Sequence, residues 1–479
     1  MIELDGIRLS CAQIARAARR EEPVELAEAG RKRAEASYRI AAEIAALRPV
    51  YGRSTGVGAN RGVPVDDPAV HAVSLLRSHA TAAGPLRSAE RIRAMLVIRL
   101  NQLAAGGSGA DPSVLDGLAA MIQADALPAV REHGGIGTGD LSALATTALA
   151  LTGEGYTSAP LPMITRFSAA DALPFLSSNA ATLADAAMAF VDLDETAHAA
   201  VAVAALTFAA VNGNREAFSA AADRTTPFAG ARKVNAWLRE LTATDLPPAR
   251  IQDPLGLRVL PQSQGAALDA LRDLSAIIVA MVNAPSENPV LLSDEPLDAA
   301  LAHHGGFHAS YLQMALDAAV LGVAQTGQLV LGRLAALIEP SFTGLAPFLG
   351  DGFPGASGVM ILEYVAASAL AEVRAAATPA GLQSVTLSRG VEEDASFASL
   401  AARQALTATG NYRTLVACEL LAAVRALRMQ ARTVPSGLRR VLELCEDLPR
   451  STMDRDLTGD VDQAVALLPA LAEILEEPS

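Results

Sequence analysis

The sequence predicts a mainly α-helical protein, and three observations lead there. Hydrophobic residues fill 51% of the 479 positions but aromatics only 4%, so alanine and leucine carry the core. Such chains pack as helices lying close together on small side chains. From about Ala199 onward, long alanine- and leucine-rich stretches alternate with short polar breaks, the pattern of a helical bundle. Before that point the apolar positions keep helical spacing, but glycine and proline interrupt them more often. The chain therefore divides into an N-terminal loop-rich helical domain, residues 1–198, and a long-helix bundle with C-terminal helices, residues 199–479.

The formal net charge of −14 argues against nucleic acid or an anionic membrane surface as the main partner. Cys11, Cys418 and Cys445 are widely spaced and in no metal-like pattern, which points to a reducing compartment. The start Met1-Ile2-Glu3-Leu4-Asp5 is acidic and lacks a signal-peptide core. The longest apolar run, near residues 199–211, is too short to span a bilayer and reads as a buried helix. The expectation is a soluble cytoplasmic protein.

In chain order, residues 11–47 read as two helices, ended by Pro49. Tyr51-Gly52-Arg53-Ser54-Thr55-Gly56-Val57-Gly58-Ala59-Asn60 is too glycine-punctuated for a helix; taken alone it is a surface Ω-loop bearing one tyrosine. Leu75-Leu76-Arg77-Ser78-His79-Ala80 is helical, and a lone histidine there is commonly structural. Residues 91–105 and 111–127 form two more helices, the second closed by Pro128. Then comes His133-Gly134-Gly135-Ile136-Gly137-Thr138-Gly139-Asp140-Leu141. Its glycines permit backbone geometries that other residues resist, and Asp140 stands where an N-cap belongs. This is a tight loop feeding the positive end of a helix, where amides can meet an anion.

Four later segments stand out. Pro174-Phe175-Leu176-Ser177-Ser178-Asn179 opens another helix, with the serine pair as alternative N-caps. Gln252-Asp253-Pro254-Leu255-Gly256-Leu257-Arg258 interrupts the bundle, as do Asn283-Ala284-Pro285-Ser286-Glu287-Asn288-Pro289 and Gly305-Gly306-Phe307-His308. Glu392-Glu393-Asp394-Ala395-Ser396 forms a further break, which alone reads as a solvated acidic helix start. His303, His304 and His308 have no carboxylate or cysteine at ligand spacing, so no metal is expected.

Taken together, these segments resemble the aromatic amino acid ammonia-lyase family: histidine, phenylalanine and tyrosine ammonia-lyases and the related aminomutases. The resemblance runs from Tyr51 to Asp454-Arg455-Asp456-Leu457. It implies the ammonia-lyase fold and a homotetramer in which each site draws on three subunits. It also implies a small carboxylate substrate, with Tyr51 as general base and Arg258 clamping the carboxylate through its planar fork. Gln252, Asn179 and Glu392 (or Glu393) would be catalytic neighbours, while His79, Leu255, Phe307, Thr138 and Gly139 would line the substrate. The family builds its electrophile, methylidene-imidazolone, from Ala-Ser-Gly in the glycine loop.

Here only Thr138 and Gly139 stand between Gly137 and Asp140, one residue short and without the serine, and Leu255 replaces a catalytic tyrosine. The tripeptide Ala356-Ser357-Gly358 lacks the flanking Gly-Asp-Leu and is set aside. The expectation from these departures is an enzyme without methylidene-imidazolone, eliminating a good leaving group or running the reverse addition. The alternatives are a variant ring in which Thr138 of Gly137-Thr138-Gly139 dehydrates in place of serine, and a silent acid-binding homologue.

Overall fold

The computed structural model describes residues 1–479 except 169, 298, 431–432 and 476–479. They form two compact units, each assembled from three separate stretches of chain. The first comprises Met1–Val191, Leu274–Leu316 and Pro379–Arg403; the second comprises Asp192–Asp273, Asp317–Thr378 and Gln404–Ser479.

In the first unit, helices begin where the local chemistry says they should. Ser10 makes a capping box with Gln13 at the start of Cys11–Ala18. Asp67 and Asp111 each accept amide hydrogens from the first turn behind a proline, at Pro68–His79 and Pro112–Gln123. Helix Ala89–Ala104 is buried almost throughout and carries Arg99, which is fully enclosed. Residues 11–47 yield two helices, Cys11–Ala18 and Glu28–Ala45, but also strand Val24–Leu26 between them, parallel to Ile2–Leu4. A second short pair, Ala83–Leu86 with Arg131–His133, leads into the glycine loop. Its strand is anchored by Glu132, which accepts from Arg91 at 2.9 Å, while Arg91 also holds the buried Asp185 at 2.7 Å.

The second unit holds most of the long helices Ala180–Ala210, Ser310–Ile338 and Ala398–Met429. The apolar run near 199–211 forms the end of a helix of 31 residues, Ala180–Ala210. By length and composition alone, two helices could cross a membrane. The most apolar window of Ala172–Ala210 is 83% buried inside the fold, which marks a core helix, whereas that of Ser310–Ile338 is only 50% buried. Tyr311, Met314 and Leu321 stand exposed on the latter helix.

Candidate active site

The first unit encloses a cavity of about 1060 Å3. Tyr51, His79, Thr138, Phe307 and Glu392 all line it, brought together from five distant segments. Asn179 and Gly139 lie just behind the wall. The Asn179 side chain accepts from the Gly139 amide at 3.0 Å and donates to the Phe307 carbonyl at 2.6 Å, so one amide group ties the glycine loop to the aromatic wall.

The Tyr51 loop follows the break at Pro49. The phenol oxygen accepts the Gly58 amide hydrogen at 2.8 Å, and the ring meets His303 edge-on at 6.4 Å. Burial pushes the phenol above its usual pKa, Glu392 adds to that, and the Gly58 amide and Arg61 oppose it. Sequence reasoning asked for positive neighbours to make this tyrosine a base. Within its own chain, burial and a carboxylate outweigh them.

The glycine loop is held by groups far away in sequence. The Gly137 carbonyl accepts from Ser396 Oγ at 3.0 Å and from the Ala309 amide at 3.1 Å. Gly137 has φ +88°, and a Cβ there would sit 2.1 Å from Ser396 Oγ and 2.9 Å from the Phe397 and Ala398 nitrogens. Only glycine fits. Asp140 stands at the N-cap position of helix Leu141–Leu151, as the sequence indicated, but its side chain makes no capping hydrogen bond there. Its buried carboxylate instead accepts from the Thr182 amide at 2.7 Å and the Thr182 hydroxyl at 2.9 Å, so it caps the first turn of helix Ala180–Ala210. Burial raises its pKa, with Arg87 opposing. Ser178 shares that cap, accepting from the Ala180 amide at 3.0 Å.

Behind the cavity, the buried pair Arg99–Glu287, 2.8 Å apart, holds the break containing Asn288, whose amide donates to Ser177 Oγ at 2.9 Å. Of the acidic run, Glu392 is half-buried while Glu393 and Asp394 are exposed, although all three border the cavity. His303 and His308 border it too, a placement that a histidine cluster in a loop could only hint at. Among the described residues, no three His, Cys, Asp or Glu side chains gather as a metal ion requires.

Gln252, Leu255 and Arg258 are not among the residues around this cavity; they belong to the second unit. All three are exposed, and the Arg258 guanidinium makes no hydrogen bond or ion pair among the described residues. Their short helix Leu255–Arg258 is nonetheless fixed from beneath. Arg333 donates to the Gly256 carbonyl at 3.1 Å, and a Cβ on Gly256 would lie 3.2 Å from the Leu329 carbonyl.

The sequence profile of the aromatic amino acid lyases matches residues 9–447. The chain belongs to that family. A histidine ammonia-lyase from Geobacillus thermodenitrificans is 32% identical over 98% of this chain and 97% of its own length. The crystal structure of tyrosine aminomutase from Streptomyces globisporus superposes with a TM-score of 0.90 at 26% identity, covering 99% of this chain and 98% of that one. An ergothioneine-degrading enzyme, ergothionase from Treponema denticola, solved with desmethyl-ergothioneine sulfonic acid, gives a TM-score of 0.89 at 22% identity. It covers 99% of this chain and 100% of that one. As a member of this family the chain is a C–N lyase with the helical ammonia-lyase fold.

The relatives also correct one expectation. Histidine ammonia-lyases belong to the part of this family that carries methylidene-imidazolone, so the inference that this chain does without the group is overturned. The residues present fit a variant of such a ring, in which Thr138 would give an ethylidene in place of the methylidene. Closing it would join the Gly139 nitrogen to the Gly137 carbonyl carbon. The two donors on the Gly137 oxygen polarise that carbonyl, and Asn179 holds the Gly139 N–H. Thr138 borders the cavity with a hydroxyl that can leave as water. The missing residue is visible in the local sequence, whereas Ser396 and Ala309, the donors to the Gly137 carbonyl, lie far along the chain.

Proposed function

We propose that this protein eliminates an amine from a small α-amino or betaine acid in the cavity beneath Tyr51. The observation that carries this reading is the convergence of Tyr51, Thr138, Phe307 and Glu392 on one cavity whose glycine loop is wired for ring closure. Maturation would expel two waters: one from the Gly137 carbonyl as the Gly139 nitrogen attacks, the other as the hydroxyl and α-hydrogen of Thr138. Once formed, the ring supplies an electrophile that makes the substrate amine a better leaving group.

The chain's own residues do the rest. Tyr51 accepts the substrate β-proton at its phenol oxygen. Phe307 and His79 wall the side chain. Glu392 faces the departing amine, where a carboxylate favours a cation.

Arg258 clamps the substrate carboxylate from another copy of the chain. Two observations support assembly: the exposed, unengaged Arg258 and the half-uncovered apolar helix Ser310–Ile338. We read the protein as a cytoplasmic homotetramer with shared sites. Positive charge brought by Arg258 would also counter the burial that holds the Tyr51 phenol neutral.

Subunit mixing tests this reading. Tyr51→Phe and Arg258→Ala homotetramers should each be inactive in releasing amine from a panel of α-amino and betaine acids. Tetramers reassembled from both regain part of the activity, because some sites combine an intact Tyr51 with an intact Arg258. A fully active Tyr51→Phe enzyme, or mixed tetramers that regain nothing, would overturn the assignment.

A further inference from the structure

The turn bearing Glu392 has an unusual backbone. Leu387 donates to the Glu392 carbonyl at 2.8 Å, and between them Ser388, Arg389 and Gly390 have φ of +52°, +60° and +84°. Only the last is glycine. A side-chain-bearing residue in this region costs roughly 1–2 kcal/mol, so Ser388 and Arg389 are both held against preference.

The half-buried Ser388 makes one contact that accounts for its presence: its Oγ accepts the Ala59 amide hydrogen at 3.0 Å. The preceding amide, Gly58, donates to the Tyr51 phenol. Two consecutive amides of the Tyr51 loop thus reach across, one to the tyrosine and the next to Ser388. Gly58 itself is at φ +54°, and a Cβ there would approach Ser388 Oγ to 2.8 Å and Glu392 Oε1 to 3.4 Å.

From this geometry we infer that Ser388 is a positioning residue, a latch that holds the Tyr51 loop over the cavity and aims the Gly58 amide at the phenol. The inference rests on Tyr51 being the proton-transfer group. The latch joins the two loops that carry Tyr51 and Glu392, so it sets their mutual placement as well. Without it, the hydrogen bonds left to the 56–60 segment among the described residues are its own turn bonds, those of Gly56 with Val63 and the Thr55 hydroxyl, and the Gly58–Tyr51 contact.

Glycine at 388 separates function from stability, since it removes the hydroxyl while relieving the left-handed strain. We expect Ser388→Gly in the intact protein to keep or raise Tm. Hydrogen exchange in the peptide containing Gly58–Asn60 should accelerate, and kcat should fall roughly ten- to hundredfold with little change in KM. Ser388→Ala should show the same exchange and kcat effects without the gain in Tm. Unchanged exchange in Ser388→Gly overturns the latch, whatever happens to kcat. Faster exchange with unchanged kcat overturns its positioning role if Tyr51→Phe is inactive. If Tyr51→Phe remains active, the same result leaves the latch standing and overturns the Tyr51 reading instead.

Discussion

Glu419→Gln is the sharpest test of how the second unit is held together. Glu419 is fully buried and Arg333 is 1% exposed. Arg333 Nε and Nη2 donate to the two Glu419 oxygens at 2.6 and 2.8 Å, and Thr207 Oγ1 donates to the same carboxylate at 2.7 Å. At an effective dielectric of about 20, a pair of unit charges roughly 4 Å apart attracts by about 4 kcal/mol. Removing one member of a buried pair costs about 3–5 kcal/mol, because the other charge is left without a partner. The two figures agree. For a folding unit of roughly 150–250 residues, about 2–4 °C per kcal/mol implies a Tm lower by roughly 6–20 °C.

The control is Arg333→Met with Glu419→Leu, which replaces the pair by apolar volume and should come back to near wild-type stability or above it. The same double variant isolates the functional part. Without Arg333 the Gly256 carbonyl loses its donor, so the Leu255–Arg258 helix is less firmly placed. The proposed Arg258 clamp should therefore weaken, with KM rising while Tm recovers. Scanning fluorimetry and steady-state kinetics on the three proteins measure both. A Glu419→Gln loss below about 1 kcal/mol would put the pair in the range of solvent-exposed ion pairs and refute the reasoning. So would a double variant no more stable than the single one.

Intact-mass measurement should find the wild-type chain two waters lighter than its sequence, and Ser396→Ala, which removes one donor from the Gly137 carbonyl, should leave a fraction at the encoded mass. The encoded mass throughout the wild-type sample would sink the ring. Burial raises the folded-state pKa of Asp140, so its stabilising contribution is complete below the unfolded value of about 3.9 and is lost as pH rises through the folded value. Asp140→Asn removes that loss, and its Tm relative to wild type should improve from pH 4 to pH 8; parallel curves count against it. Burial pushes the Cys418 thiol up to about 12 and Cys445 to about 11. Neither should react with a thiol reagent at pH 8 until the protein is unfolded, and fast labelling in the native state would contradict their burial.

Much of this architecture could be read from the chain before any coordinates. Helix content followed from alanine and leucine periodicity, which also marked the helix after Asp111, although the local Asp-Pro starts at Asp67-Pro68 and Asp111-Pro112 went unread. The short strands were invisible, since a three-residue run such as Val24–Leu26 becomes a strand only by pairing with Ile2–Leu4. At Asp140 the position was legible and the partner was not: an N-cap position is a local fact, but the carboxylate accepts from the amide of Thr182, 42 residues on. Likewise the motif residues were recognisable one by one. Nothing local says that residues 274–316 and 379–403 return to the first unit, whereas Gln252, Leu255 and Arg258 belong to the second.

The two glycines at the heart of the site express one physical device. At Gly58 the missing Cβ lets two consecutive amides reach the Tyr51 phenol and Ser388. At Gly137 it lets a carbonyl sit under Ser396 and the Ala309 amide. The obstacles to a side chain differ, however. The nearest atom at Gly58 is a serine hydroxyl that can rotate away, while Gly137 also faces backbone nitrogens at 2.9 Å that cannot. The Gly137 carbonyl is therefore fixed by the fold, as the proposed ring closure would require if two donors are to polarise it before any substrate arrives. The Gly58 amide is fixed only by side chains. That ranking suits the roles proposed above, since ring closure at Gly137 would demand rigidity, whereas the Gly58 amide has only to be aimed at the phenol by its side-chain partners.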